Sequence, residues 1–414
     1  MKRFLIWVCL VCILLTSACA EIESPTNSNS SADTSEEVIG SSEATSVDFS
    51  ADTSMHQSEN ADSSEESFVI VSDDVPSSEA STDESREASK DISVDNSSSQ
   101  APVVDNSTDI SYLPVPSDRV FVSNGLLING TRGMEQYFGL TDSGTKFSNI
   151  IANYKKDLGD SVNVYTVVAP HASNYYAPES YSNLIERGKI NFDNLKAQNG
   201  DGVKYVDVYS ALWDHVDEPI YPRTECHWGA LAAYYAAEAF AKVAGVPFAP
   251  LDSYTKIVKP GFVGSVYTFS KAEIIRQNPE DFLIFMPQTN YTAYYYNQGN
   301  YDLSKPNFTK NSIVFDTKSY AGAFICGDNY TIKVVTGNNT GRKLVIFKDS
   351  YGNAFAPFTL GSFDEVYIVD IRYYKKNGVN FCKEVGATDV AVSVSAFTAT
   401  GSVYKHLERI RTAP

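Results

Sequence analysis

The stretch KLVIFKDSYGNAF, residues 343–355, decides the fold class. Its first residues form a short, continuously apolar run, which is typical of a strand buried on both faces of a sheet. Asp349 and Ser350 stand where that strand should end, and Gly352 and Asn353 begin a segment that predicts a helix. A serine at such a turn projects above the sheet, close to backbone N–H groups that stabilise an oxyanion. The alternative is that Asp349 or Ser350 only caps the helix.

Similar apolar runs of strand length recur along the rest of the chain. They lie at residues 162–170, 203–212, 281–287, 365–374 and 389–397. Helical patterns separate several of them, for example at 148–160 and 229–246, while the Tyr-rich section at 290–310 predicts a loop or a small β insertion. Strands that alternate with helices predict an α/β fold whose parallel sheet is flanked by helices. Ligands of such sheets bind at the carboxyl ends of the strands, where Ser350 lies.

A second candidate for chemistry is the segment TECHW, residues 224–228. If Thr224 caps a helix, Glu225 and His227 lie in its first turn, where the carboxylate can orient the imidazole and stabilise the imidazolium. Serine, histidine and a carboxylate are the parts of a nucleophile, a general base and an orienting group. The alternative is a buried histidine at the start of a helix, without a catalytic role.

The first 18 residues predict a lipoprotein signal peptide. Lys2 and Arg3 form a basic region, and an apolar run from Phe4 to Leu15 follows. That run is shorter than the roughly 20 residues that span a bilayer. Small residues then precede Cys19, a pattern typical of lipid attachment to that cysteine. The predicted location is the extracytoplasmic side of the cell membrane, held by a lipid anchor, and the alternative is an ordinary cleaved signal peptide.

The segment that follows, residues 19–118, predicts a disordered acidic tether. From residue 20 onward it holds 23 acidic and 2 basic residues, with few aromatic ones. Such a composition cannot bury enough apolar surface to offset the entropy of ordering, and its self-repulsion extends the chain. Residues 119–414, by contrast, carry 28 acidic and 29 basic residues. This segment predicts one folded domain, and its balanced charge argues against nucleic acid as a ligand.

Three cysteines lie in the predicted domain: Cys226, Cys326 and Cys382. An odd number allows at most one disulfide, and a bond to Cys226 would crowd Glu225 and His227. The one bridge that remains open is therefore Cys326 to Cys382, and Cys226 is expected to be free. The spacing of cysteines and histidines matches no metal site, and the sequence predicts neither a metal nor another cofactor.

Four further residues carry weaker functional signals, each beside a structural alternative. His171 follows a predicted strand and is expected to line the cleft, or else to bond locally in its loop. Arg372 is expected to bind an acyl or sugar oxygen, or else to form a structural salt bridge. Asn353 is a candidate oxyanion donor. Trp228 is expected to wall the site or stack on a sugar, or else to pack in the core.

Several motifs together resemble the DHHW family, named for Asp-His-His-Trp. RTECHW at 223–228 resembles the signature itself, and FKDSYGNAFAPF at 347–358 resembles the family's serine block. Four more stretches fit the family's pattern in the expected order: VFVSNGLLINGTRGMEQYF (120–138), VVAPHASNYYAPESY (167–181), GFVGSVY (261–267) and VYIVDIRYY (366–374). The aspartate of the signature is Glu225 in this chain, and its middle histidine is Cys226.

The resemblance implies an SGNH-hydrolase-like fold and a relation to alginate-type polysaccharide O-acetyltransferases. Those proteins use a D-x-H pair and a later serine, which correspond to Glu225, His227 and Ser350. The resemblance also implies a membrane-bound O-acyltransferase as the partner that supplies acetyl groups outside the cell. The expected function is O-acetyl transfer to an extracellular or cell-wall polysaccharide. A carbohydrate esterase with the same residues and a non-catalytic glycan-binding or scaffold protein are the alternatives.

Overall fold

The computed structural model describes the carboxyl-terminal part of the chain. The described residues are 119–297, 302–328 and 330–414. All of them belong to one compact unit. The predicted signal peptide (1–18), the lipid-attachment site Cys19 and the predicted tether (19–118) lie outside the described residues. Among the described residues, no helix is long and apolar enough to cross a bilayer.

Thirteen strands lie within the described ranges. They are β1 (Val120–Ser123), β2 (Leu126–Asn129), β3 (Arg132–Glu135), β4 (Asn163–Ala169), β5 (Val203–Val206), β6 (Thr255–Phe262), β7 (Glu280–Met286), β8 (Tyr291–Asn297), β9 (Phe308–Lys310), β10 (Tyr330–Thr336), β11 (Lys343–Lys348), β12 (Glu365–Asp370) and β13 (Asp389–Ser395). Strands β1, β2 and β3 form a small sheet, β6 and β7 form a pair, and the other eight build the central sheet.

Twelve α-helices lie within the same ranges. They are α1 (Thr141–Leu158), α2 (Ser173–Tyr176), α3 (Asn183–Ala197), α4 (Val208–Trp213), α5 (Ala230–Ala244), α6 (Ser265–Ser270), α7 (Glu273–Arg276), α8 (Tyr320–Ala323), α9 (Gly352–Phe355), α10 (Gly378–Glu384), α11 (Ala396–Thr400) and α12 (Lys405–Arg411). Short 3₁₀ turns lie at Glu179–Tyr181, Leu251–Ser253 and Ala356–Thr359.

The central sheet is mixed rather than wholly parallel. Its strand order is β5-β4-β13-β11-β12-β10-β8-β9, and the first five strands run parallel. The middle strands of this group are buried along nearly their whole length, because helices cover both faces. The predicted α/β fold is therefore confirmed. Strands β10, β8 and β9 run antiparallel, so the β insertion predicted at 290–310 is the antiparallel edge of the main sheet.

Two predicted strands are corrected by the structure. In the run at 203–212 only β5 is extended, because Asp207 accepts a hydrogen bond from Ser210 N at 3.1 Å and caps helix α4. The run at 281–287 lies mostly in β7, which pairs with β6 in a separate two-stranded sheet. An apolar run of this length favours a strand but does not specify the partner of that strand.

The side chains of β11 alternate between two separate cores. Val345 and Phe347 pack in the core that also contains residues of helices α1, α10 and α12. Leu344 and Ile346 pack in the core that contains residues of α5 and α9. Because alternate side chains of the strand face opposite cores, the sheet is the middle one of three layers, with helices on each side. Functional side chains are therefore expected past the ends of the strands, where neither core covers them.

Candidate active site

Ser350 lies in the tight turn that joins β11 to helix α9. The carboxylate of Asp349 holds this turn, since Oδ1 accepts from Tyr351 N at 3.0 Å and Oδ2 accepts from Ser395 N at 2.8 Å. Asp349 therefore braces the end of β11 against the end of β13. No side chain caps helix α9 where it begins at Gly352. The side chains of Asp349 and Ser350 therefore do not cap this helix, and a catalytic role for Ser350 stays a prediction.

Ser350, His227 and Glu225 form one chain of hydrogen bonds. His227 Nε2 lies 2.9 Å from Ser350 Oγ, and His227 Nδ1 lies 2.7 Å from Glu225 Oε1. Because the carboxylate can only accept, the ring proton lies on Nδ1, and Nε2 accepts from the serine hydroxyl. The imidazole and the serine are partly exposed, whereas the carboxylate is buried. The predicted contact across 123 residues is present, and the catalytic roles of the three residues stay predictions.

The segment that carries Glu225 and His227 precedes a helix instead of opening one. Helix α5 begins at Ala230 after a cap at Gly229, so the prediction that Thr224 caps this helix is wrong. The segment is irregular. Its backbone N–H and C=O groups therefore need partners from elsewhere in the fold, because buried peptide groups are rarely left unpaired.

Glu280 on β7 is the partner of two of the N–H groups. Its carboxylate accepts from Arg223 N at 2.8 Å and from Thr224 N at 2.7 Å, and it also accepts from Thr224 Oγ1 at 2.7 Å. Glu280 is buried, so water does not compete for these charge-assisted bonds. Sequence reasoning missed Glu280, because no motif surrounds this residue at the start of an apolar strand.

A glycine and a serine from the loop before α6 enclose the Glu225 carboxylate. Ser265 Oγ donates to Oε1 at 2.6 Å, and Ser265 N donates to Oε2 at 2.9 Å. A Cβ atom on Gly264 would lie 2.6 Å from Oε2, so a side chain at this position would displace the carboxylate. These contacts explain the GFVGSVY motif at 261–267, because its second glycine and its serine both contact the Glu225 carboxylate. The motif was recognised from the sequence, but the role of Ser265 was not.

These contacts also set the charges of the pair. Burial raises the pKa of Glu225, but the hydrogen bonds from His227 and Ser265 outweigh this effect, and the net pKa is lowered. Burial lowers the pKa of His227, but the hydrogen bond and the charge of Glu225 outweigh it, and the net pKa is raised above 6.5. The carboxylate therefore favours the imidazolium, which is the form that a general base reaches when it takes a proton from serine.

Two tyrosines pack against the imidazole. Tyr320 stacks on His227 with 4.7 Å between ring centroids and 15° between ring planes, and the Tyr351 ring lies 5.1 Å away. Tyr351 OH donates to Cys226 O at 2.9 Å, which joins the serine turn to the histidine segment. The imidazole is thus oriented by packing as well as by Glu225. Tyr320 belongs to none of the motifs and was missed from the sequence.

His171 lies behind Tyr351 and does not line the cleft. Its side chain is almost fully buried, and Nδ1 lies 2.9 Å from Tyr351 OH and 3.1 Å from Glu135 Oε2. Nε2 accepts from Phe397 N at 3.3 Å. Both ring nitrogens therefore have partners inside the protein. The expectation that His171 lines the cleft is wrong, and the alternative of local bonding describes this residue.

Trp228 lies in the core. Its side chain is fully buried, and its indole Nε1 donates to Tyr351 O at 2.9 Å. The buried N–H thus has a partner, as is usual for tryptophan in a protein interior. The expectation that Trp228 stacks on a sugar is wrong because the ring has no face open to solvent, and the packing alternative describes it.

A buried charge cluster lies directly behind the serine turn and comprises Lys348, Asp328, Asp370, Arg372 and Asn353. Arg372 Nη2 lies 2.6 Å from Asp328 Oδ2 and 2.7 Å from Asp370 Oδ2. The salt-bridge alternative therefore describes Arg372. Asn353 Nδ2 donates to Asp328 Oδ1 at 2.8 Å, so the amide is held on the side of the cluster. A role for Asn353 as an oxyanion donor stays a prediction.

Lys348 is the buried cation of this cluster. Its Nζ lies 2.7 Å from Asp328 Oδ1 and 2.8 Å from Asp370 Oδ2, and its side chain is fully buried. Burial raises the pKa of Asp328, but the nearby Arg372 and Lys348 outweigh this effect and hold the net pKa far below its usual range.

The loop just before Asp328 has an unusual backbone. It contains two non-glycine residues with positive φ, Ile325 at 53° and Cys326 at 63°. A backbone conformation this unfavourable for Ile persists only where the surroundings enforce it.

The three cysteines in the described part of the chain form no disulfide with one another. Cys226 and Cys382 are buried, and Cys326 is partly buried. Cys226 is bonded to neither of the other two, and the bridge between Cys326 and Cys382 that the sequence left open is not formed. The described residues contain no group of three or more His, Cys, Asp or Glu side chains that could hold a metal ion.

Comparisons with solved structures identify proteins that resemble this chain. A DHHW family protein from Eubacterium siraeum is 37% identical, with a TM-score of 0.66 over 71% of this chain and 98% of its own. Bacillus cereus PatB1, solved with a sulfonyl adduct, is 15% identical, with a TM-score of 0.55 over 69% of this chain and 98% of its own. The O-acetyltransferase domain of Pseudomonas putida AlgJ is 10% identical, with a TM-score of 0.39 over 68% and 92%. No protein with a curated description matches the chain significantly.

The family follows from a match over most of the chain. The family model described as "DHHW protein" matches residues 55–369. This range contains the ECHW segment at 225–228 and the serine block at 347–358. Both motifs lie in the described domain. That domain has the α/β architecture expected of an SGNH-hydrolase-like fold. The chain belongs to the DHHW family.

Proposed function

We propose that this protein is an O-acetyltransferase that acts on a polysaccharide, with Ser350 as nucleophile, His227 as general base and Glu225 as the orienting carboxylate. One observation carries the proposal: Ser350 Oγ, His227 Nε2, His227 Nδ1 and Glu225 Oε1 are joined by contacts of 2.9 Å and 2.7 Å at the carboxyl edge of the sheet. This is the geometry in which a base removes the proton of a serine as the serine attacks.

The proposed reaction has two halves. Ser350 Oγ attacks the carbonyl carbon of an acetyl ester while its proton passes to His227 Nε2, and the donor oxygen leaves with that proton. The acetyl group is now on Ser350, and Glu225 has stabilised the transient imidazolium. A sugar hydroxyl then gives its proton to Nε2 and attacks the acetyl carbon, the bond from that carbon to Ser350 Oγ breaks, and Nε2 returns the proton to Ser350 Oγ. Water in place of the sugar would make the same site an esterase.

The similarity to PatB1 supports a nucleophilic site. A sulfonyl adduct, as in the Bacillus cereus structure, is the product of a nucleophilic side chain and a sulfonyl electrophile. The partly exposed Ser350, hydrogen-bonded to a histidine, is the described side chain best prepared for such a reaction.

The location and the partner are part of the proposal. Lipid attachment at Cys19 would hold the chain on the extracytoplasmic face of the membrane, and residues 19–118 would set the reach of the domain. Because acetyl-CoA is absent outside the cell, a membrane-bound O-acyltransferase would deliver the acetyl group. Wild type should fractionate with membranes and Cys19→Ala should be released; identical fractionation would contradict the anchor.

Acetyl transfer can be tested with the purified protein, p-nitrophenyl acetate as donor and oligosaccharides as acceptors. Mass spectrometry would count acetylated sugar against free acetate. We expect acetylated sugar with wild type and with the exposed control Ser253→Ala, and none with Ser350→Ala. Acetate alone would replace the proposal with an esterase. Absence of both products from wild type would favour the non-catalytic glycan-binding alternative.

A further inference from the structure

A groove of about 400 Å³ opens on the surface beside helix α4. Its wall is formed by Tyr209 and Trp213, and its rim is formed by Glu186, Lys189 and Asp214. Trp213 is 46% exposed, which makes it one of the few large apolar side chains in the described residues with an open face. A concave surface of this size, with apolar walls and a few polar groups, is the usual form of a small-ligand site.

The indole of Trp213 packs against two other aromatic rings. It lies 5.6 Å from the Tyr175 ring and 6.0 Å from the Tyr209 ring. Tyr209 itself stacks on Phe192 at 5.0 Å and on Tyr175 at 5.4 Å. Tyr175 OH donates to Tyr209 O at 3.0 Å, which fixes the support behind the indole. An aromatic ring fixed on one face and open on the other binds a flat apolar surface with little loss of side-chain entropy.

The groove lies on the same edge of the sheet as Ser350. Helix α4 follows the carboxyl end of β5, as the serine turn follows the carboxyl end of β11. In the sheet, β5 is three strands from β11, and strands about 4.8 Å apart place the ends of these two strands about 14 Å from each other along that edge. Tyr221, just before the Glu225 segment, packs 6.0 Å from Tyr175. A row of aromatic rings therefore runs from the groove toward the proposed active site.

We propose that this groove is a distal subsite for the acceptor polysaccharide, in which the Trp213 indole stacks on the face of one uncharged pyranose ring. The axial C–H bonds of a pyranose present the flat apolar face that such a ring accepts, and rim groups can bond the hydroxyls. The rim carries two carboxylates, and its one amine, Lys189, already pairs with Asp193 at 2.6 Å. A uronic acid would therefore be repelled, and a neutral sugar favoured. This inference deepens the proposed polysaccharide function and rests on it.

The intrinsic fluorescence of the full chain tests the subsite without turnover. The sequence has three tryptophans, of which Trp228 is fully buried and Trp7 lies in the predicted signal peptide. The probes are hexamers of β-linked glucose, mannose and N-acetylglucosamine, with a hexamer of galacturonic acid as the charged comparison. We expect at least one neutral hexamer to change the emission and to reduce iodide quenching. The change should persist in Ser350→Ala, disappear in Trp213→Ala, and be unaffected by Phe121→Ala, an exposed aromatic control on β1.

A kinetic split separates this inference from the proposed chemistry. Trp213→Ala should raise KM for the hexamer acceptor roughly tenfold, the effect of losing one aromatic stack, while hydrolysis of p-nitrophenyl acetate stays unchanged. If no neutral hexamer alters the fluorescence of wild type, or if Trp213→Ala binds them equally well, the subsite is overturned whatever Ser350 does. If the hexamers bind but Ser350→Ala keeps full acetyl transfer, the chemistry fails and the subsite stands.

Discussion

Two groups of charged side chains lie on either side of the turn at Ser350, and they differ in their exposure to solvent. On one side, the imidazole of His227 is 17% exposed and spans from Glu225 to a serine that is itself partly exposed. On the other side, Lys348 is fully buried between Asp328 and Asp370. The first group can exchange a proton with a ligand, whereas the second has its charges satisfied inside the protein. The charges of the proposed active site and the charges of a buried structural cluster are therefore separated here by a single turn of chain.

The substitution expected to have the largest effect on turnover is His227→Ala. Without the base, Ser350 keeps its proton, so turnover should fall about ten-thousandfold or more, while the free energy of unfolding falls by no more than about 2 kcal/mol, because Ser265 still bonds the buried Glu225 carboxylate. Steady-state kinetics and urea denaturation measure the two effects. His215→Ala is the matched control, because His215 also pairs with a carboxylate, Glu218 at 2.6 Å, but lies outside the site. A large loss of stability in His227→Ala, with activity retained, would restore the buried-histidine alternative.

The substitution Lys348→Met should instead reduce stability. Removing the cation leaves two buried carboxylates with only part of their compensation, which typically costs about 3–5 kcal/mol of unfolding free energy. Lys343→Met is the matched control at the other end of the same strand. Lys343 is more exposed and pairs with Glu365 at 3.2 Å, so its loss should cost no more than about 1 kcal/mol. Equal losses in the two variants, measured by urea denaturation, would show that the cluster is not the stabilising unit described.

A smaller effect is expected at Glu225. Glu225→Ala removes the group that orients and charges the imidazole, yet an orienting carboxylate is usually the least costly member of such a set to lose. Its turnover should therefore lie between those of wild type and His227→Ala. Glu225→Asp restores the residue of the family signature and should keep more activity than Glu225→Ala. An alanine variant as inactive as His227→Ala, with normal folding, would mean that Glu225 does more than orient the ring.

The smallest predicted change is in the pH profile. Below its pKa the His227 ring is protonated and cannot accept from Ser350, so activity is lost as pH falls through that pKa. Because the pKa of His227 is raised above 6.5, the midpoint of the acid limb of kcat/KM should lie above pH 6.5. Glu225→Gln removes the charge that raises it, and the midpoint should move to lower pH. An acid limb at the same pH in both enzymes would assign it to another group.

The sequence predicted the three side chains that meet at the candidate site better than the residues that hold them. Ser350 follows an apolar strand, and Glu225 and His227 share a five-residue motif, so local pattern was sufficient. Glu280 and Ser265 contact that motif from 56 and 40 residues away, and no short pattern records such a contact.

Burial was equally hard to predict from the chain alone. His171 and Trp228 lie in or near the motifs of the candidate site, yet both are buried and both form hydrogen bonds with Tyr351. Arg372 forms a salt bridge within the charge cluster. Strand partners showed the same limit, because β7 has the composition of a central strand and pairs with β6 instead. Composition predicts that a segment is buried or extended, while its neighbours are decided by the packing of the whole domain.

The most direct test of the central claim, that His227 activates Ser350, is labelling with methanesulfonyl fluoride followed by peptide mass mapping. A sulfonyl electrophile reports the nucleophile itself and needs no knowledge of the polysaccharide. We predict one sulfonyl group per chain, on Ser350, with a rate that falls as His227 becomes protonated and with no labelling in His227→Ala. A label on another residue, or equal labelling of Ser350 in wild type and His227→Ala, would contradict the account.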